Sequence, residues 1–77
     1  MTEIAQEPWT WILFEEGTRR VLTVVIGGVG LVNFSVELTP EESAAWDAQG
    51  AAGIEDLVHG IQRSPDPYRS RKVPNPR

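Results

Sequence analysis

The stretch WTWILFEEGTRRVLTVVI, residues 9–26, decides how this chain is read. Trp9 to Phe14 is rich in aromatic and β-branched residues, which suit a pleated surface. Glu15-Glu16-Gly17 interrupts it with a residue free to take positive φ. Arg19 to Ile26 is a second β-type run. Downstream, Gly27-Gly28-Val29-Gly30 reads as another turn and Leu31 to Leu38 (LVNFSVEL) as a third strand. The pattern predicts a three-stranded antiparallel meander.

After the sheet the period changes. Thr39-Pro40-Glu41-Glu42 is a helix start: Thr39 can cap, proline fits the first helical position, and Glu42 completes a capping box. The first helix should run through Trp46, with a core role for that tryptophan. Gly50 and Gly53 argue for a break, since each costs about 1 kcal/mol relative to alanine inside a helix. A second helix is expected from Gly53 to Arg63, with Ile54, Leu57, Val58 and Ile61 on one apolar stripe. Gly60 beside the stripe would permit close approach to the sheet. The expected fold class is α+β: the meander sheet, a capped helix, a glycine break and a second helix on one sheet face. Residues 1–8 read as a loose lead-in, 9–65 as the single domain, and 66–77 as an extended or disordered basic tail.

Register assigns the faces. Three-residue hairpin loops commonly end on a left-handed glycine, and Gly17 and Gly30 fit that position. Phe14 then faces Thr18, Gly27 faces Leu31, and even-numbered residues pair with even. The even face (Ile12, Phe14, Leu22, Val24, Ile26, Val32, Phe34, Val36, Leu38) should lie beneath the helices. The odd face carries Trp9, Trp11, Leu13, Val21, Val25 and Leu31 where a solvated sheet surface would be polar. A patch of that kind is expected to bind another protein, with Glu15, Glu16 and Glu37 as its acidic fringe. The competing explanations are that the tail or the lead-in covers this face, or that the register is shifted by one residue, which would send the tryptophans into the core.

Size points the same way. The chain has 77 residues and no cysteine, and below about 80 residues a lone core rarely supplies more than ~3–5 kcal/mol. Disulfides and thiolate metal sites are excluded, and one histidine cannot make a zinc site alone. A second chain, a copy or a partner, is the remaining support. Net charge is −4, unevenly placed: residues 1–63 are acidic and residues 64–77 basic through Arg69, Arg71, Lys72 and Arg77. An acidic body repels nucleic acid and suits basic partners. No stretch has the length or apolarity of a membrane span, and MTEIAQEPW lacks the features of a signal peptide, so a cytoplasmic location is expected.

Chemistry finds little foothold. Gly27-Gly28-Val29-Gly30 lacks the Lys-Ser/Thr of a P-loop and precedes a strand rather than a helix. Glu15 and Glu16 are adjacent on a strand and point to opposite faces, while Glu41 and Glu42 have helix-start duties. His59 sits one turn from Glu55 and Arg63 in a solvated ladder. No nucleophile context is present. The expectation is a non-enzymatic protein without cofactor or metal.

The order of an aromatic-rich first strand, a meander, Leu38-Thr39-Pro40-Glu41-Glu42, Gly50, the Ile54–Ile61 stripe and Pro67-Tyr68-Arg69 resembles small bacterial immunity-type proteins that accompany polymorphic or contact-dependent toxins. The resemblance spans most of the chain and rests on order and composition, without a specific motif, and transfers no residue roles. It implies a stoichiometric inhibitor of a toxin, and the acidic body suits the basic nuclease toxins of such systems. The alternative is a small structural or regulatory homodimer touching nucleic acid through its basic tail.

Overall fold

A computed structural model describes residues 1–27 and 32–76. It is α+β, with a four-stranded antiparallel sheet in the order β1-β2-β3-β4. The strands are β1 (Thr2–Glu7), β2 (Trp11–Glu16), β3 (Arg19–Ile26) and β4 (Val32–Glu37). Helix α1 (Pro40–Gln49) leads through a 3₁₀ segment (Gly50–Ile54) into α2 (Glu55–Arg63), and a second 3₁₀ segment spans Asp66–Arg71. No helix is long and apolar enough to cross a membrane among the described residues.

The expected lead-in is therefore a strand. TEIAQE has too few apolar side chains to signal one, yet β1 pairs with β2 along its length, with a bulge between Glu3 and Ala5. The tail, expected to be extended or disordered, forms a 3₁₀ turn that ends in a bridge from an extended Lys72 to Val36 on β4.

The first hairpin corrects the register. Glu16 pairs with Arg19 and Trp11 with Val24, so odd residues of β2 face even residues of β3. Gly17, at φ 61°, opens a two-residue Gly17-Thr18 loop rather than closing a three-residue one; glycine at the first central position is the type II′ pattern. The second hairpin keeps the expected register, Val24 opposite Phe34 and Ile26 opposite Val32. Most of its turn, residues 28–31, lies outside the described residues.

Trp11 and Leu13 consequently join Leu22, Val24, Phe34, Val36 and Leu38 in the core, against Ile54, Leu57, Val58 and Ile61. The α2 stripe is buried as its spacing predicts. Ile12 and Phe14 move to the opposite face with Val21, Thr23 and Ser35. That face is not bare: Phe14, Val21, Thr23 and Ser35 are all buried, and the hydroxyls of Thr23 and Ser35 satisfy one another at 2.8 Å.

Helix α1 begins as expected, with both arms of the Thr39–Glu42 capping box formed, and ends at Gly50, whose φ of 64° suits glycine. It buries no residue fully, so packing alone holds it weakly. Trp46 meets Trp11 edge-on, with ring centroids 6.1 Å apart. Arg20 supplies the polar anchor. Its guanidinium donates to the Ser43 carbonyl and hydroxyl at 3.1 and 3.0 Å. It also pairs with Asp47 and Glu15, both at 2.9 Å. The bonds to Asp47, then to Glu15, raise its pKa above the ordinary arginine value.

Candidate protein-docking site

The β1–β2 connection is Pro8-Trp9-Thr10. The Thr10 N–H donates to the Glu7 carbonyl at 2.9 Å, closing a four-residue turn from Glu7 to Thr10. Proline at its second position fixes φ near −65°. Trp9 at its third has φ 62°, and that combination is a type II turn, whose third position ordinarily belongs to glycine. A bulky side chain there costs about 1–2 kcal/mol in backbone strain. Two further bonds hold the geometry: the Thr10 hydroxyl donates to the Pro8 carbonyl at 3.3 Å, and Thr10 accepts from the Val25 N–H at 2.8 Å.

Trp9 gains little burial in exchange. It is 82% exposed, standing over a groove of about 360 Å³ whose walls include Ile12 and Val25, both half-buried, with Gln6 and Asn33 as polar members. On the other side of the turn, Glu7 and Thr10 line a second depression of about 410 Å³ with Glu55 and His59 from α2. Glu55, His59 and Arg63 are all exposed, as the ladder reading places them.

The residues read as one docking face are thus dispersed. Trp9 and Val25 meet at the groove. Trp11 and Leu13 are core residues at 8% and 0% exposure, and Val21, on the helix-free face, is 1% exposed. These three cannot offer contact area without unfolding. The acidic fringe is engaged within the chain: Glu15 with Arg20, Glu37 with Arg19, and Glu16 with the N-terminal amine at 3.8 Å. Trp9, expected as the first strand residue, belongs instead to the turn before β2. Pro8 was the available signal, since proline followed by any residue and then a strand marks a turn whose third position deserves inspection.

The tail turns back onto the acidic body. Arg71 holds the Glu42 carboxylate with both terminal nitrogens, at 3.2 and 2.5 Å, and donates to the Glu37 carbonyl at 2.9 Å. The Lys72 ammonium lies 5.7 Å from the Phe34 ring centroid. Arg69 pairs with Asp66 at 2.7 Å. Tyr68 reaches Gly60 so closely that a Cβ there would lie 2.4 Å from its hydroxyl. Gly60 thus admits the tail, not the sheet.

No family model, curated protein or solved structure matches the chain.

Proposed function

We propose that the chain is a non-enzymatic protein-binding module whose contact is Trp9 and the groove beside it. One observation carries the reading: a tryptophan 82% exposed occupies a backbone position, φ 62°, where glycine would relieve strain. Folding gains little contact from that choice, and tryptophan is among the residue types enriched in interface hot spots. The immunity-type inhibitor suggested by the layout is the specific form of this proposal, with a basic toxin as partner to an acidic domain. The location proposed for it is the cytoplasm.

The nucleic-acid alternative finds less support. Arg69, Arg71 and Lys72, the tail cations among the described residues, each have a partner within the chain.

The test compares wild-type and Trp9→Gly chains in capture from the source cell, followed by titration of the captured protein in purified form. Loss of about 2 kcal/mol or more of affinity, roughly thirtyfold, is the hot-spot outcome. Equal affinity of the two chains for the same purified partner would sink the assignment of the site.

A further inference from the structure

The two edges of the sheet are treated differently. β1 forms one edge and β4 the other. The β4 edge is occupied in cis by the tail, through the Val36–Lys72 bridge and a 2.9 Å bond from the Val73 N–H to the Ser35 carbonyl. Side chains reinforce this backbone pairing. Arg71 grips Glu42 and the Glu37 carbonyl, and Lys72 lies over Phe34. Together these contacts read an arginine at the end of a 3₁₀ turn, followed by an extended lysine and an apolar residue. Strand addition to a sheet edge works in this way, with backbone bonds supplying affinity and flanking side-chain contacts supplying specificity.

The backbone pairing of the cis occupant is slight, and its hold rests on Arg71 and on Tyr68 packed against the core. The strands of the sheet pair along six positions in each β2–β3 and β3–β4 ladder, whereas the tail contributes an isolated bridge. Its 3₁₀ segment buries no residue fully. It leaves α2 through Ser64, which is extended, and Pro65, so releasing the tail breaks no helix. Segments with few buried contacts open at low cost relative to global unfolding.

We propose that the β4 edge, with Glu37, Glu42 and Phe34, is a recognition site for an Arg-Lys-apolar segment of a partner protein that turns at the arginine and extends from the lysine, and that residues 71–73 occupy it in cis until such a segment displaces them. The carboxylate of Glu42 selects arginine through paired bonds, and the acidic residues 1–63 favour a basic segment. This surface shares no residue with the Trp9 groove, whose β4 member is Asn33.

The probe is a labelled, end-blocked peptide of sequence RSRKVPNP, the chain's own residues 69–76, titrated into the full chain by fluorescence anisotropy. A tethered segment competes at an effective concentration near millimolar, so weakening the tether must strengthen binding of the free peptide. The full-length Arg71→Ala chain should bind the peptide roughly tenfold tighter than wild type does, the scale of one lost charge-assisted bond in the competitor. Tyr68→Ala, which loosens the tail at Gly60 and leaves the edge intact, should shift affinity in the same direction. A peptide carrying glutamate at the position of Arg71 should not bind, and Trp9→Gly should bind the peptide as wild type does. The proposal is overturned if neither loosened chain binds the peptide while retaining wild-type circular dichroism, or if a scrambled peptide of equal composition binds as well. It is equally overturned if sedimentation shows a dimer formed by tail exchange, which would assign the edge to a second copy.

Discussion

Trp9 and Trp11 are two residues apart and on opposite sides of the energy balance. Trp9 occupies a left-handed position, φ 62°, with 82% of its surface exposed. Replacing it by glycine removes strain and little packing, so Trp9→Gly should raise stability by about 1 kcal/mol in urea melts. Trp11 is 8% exposed and packs against Trp46; Trp11→Ala should cost about 3–5 kcal/mol. That equals the whole stability of a core this small, and the variant should be largely unfolded by circular dichroism at 25 °C. If Trp9→Gly destabilised the chain instead, the indole would be contributing to folding and its exposure would need no partner. The aromatic content of this strand was legible from sequence directly, whereas which tryptophan is buried turns on a single residue of hairpin register.

At the scale of elements, the register was recoverable from charge. A three-residue loop ending at Gly17 sets Leu13 opposite Arg19 and Ile12 opposite Arg20. The observed two-residue loop sets Glu16 opposite Arg19 and Glu15 opposite Arg20, and opposite charges across a strand pair are the favourable arrangement. Glycine is compatible with both loops, so the glycine alone could not decide. The helices were easier: capping box, glycine break and apolar stripe are local signals and each falls where the pattern puts it. Strand β1 was missed because TEIAQE lacks the apolar alternation of a strand, although its partner β2 is the next element, and the particular tail contacts could not be named because Glu42, the Glu37 carbonyl and Phe34 lie far from Arg71 and Lys72 in sequence. Gly53 and Gly60 show the same division. Both look like weak helix positions, yet a Cβ at Gly53 would lie 2.2 Å from the Ala45 carbonyl oxygen, which is backbone, while at Gly60 it meets the hydroxyl end of the Tyr68 side chain. Gly53→Ala should destabilise the fold by about 1–3 kcal/mol through overpacking. Gly60→Ala should leave global stability within about 1 kcal/mol of wild type, since helix propensity improves, while amide exchange at Val73 accelerates. Equal melting behaviour of the two variants would contradict the close approach at Gly53.

Over the whole molecule, charge is divided between a body and its strap. Residues 1–63 hold ten carboxylates against three arginines, and residues 64–77 hold Arg69, Arg71, Lys72 and Arg77 against Asp66. The sequence shows that division, and the structure shows what it does: Arg71 and Lys72 bring the basic end onto Glu42, the Glu37 carbonyl and Phe34. The core of the domain is apolar and insensitive to ionic strength to first order, whereas the Arg71–Glu42 pair is partly solvated, its side chains 28% and 24% exposed. Salt that shortens the screening length from ~30 Å at 0.01 M to ~3 Å at 1 M weakens the long-range attraction while leaving the core unchanged. Raising salt over that range should therefore speed cleavage by a basic-specific protease after Arg69 and Arg71, with the thermal midpoint of the domain shifting little. Arg71→Ala should cleave quickly at Arg69 in low salt already and lose most of the salt response. A wild-type cleavage rate independent of salt would mean that the backbone bridge and Tyr68, rather than charge, hold the tail. The β4 edge would then be sealed by packing, and a basic segment would have no electrostatic advantage in opening it.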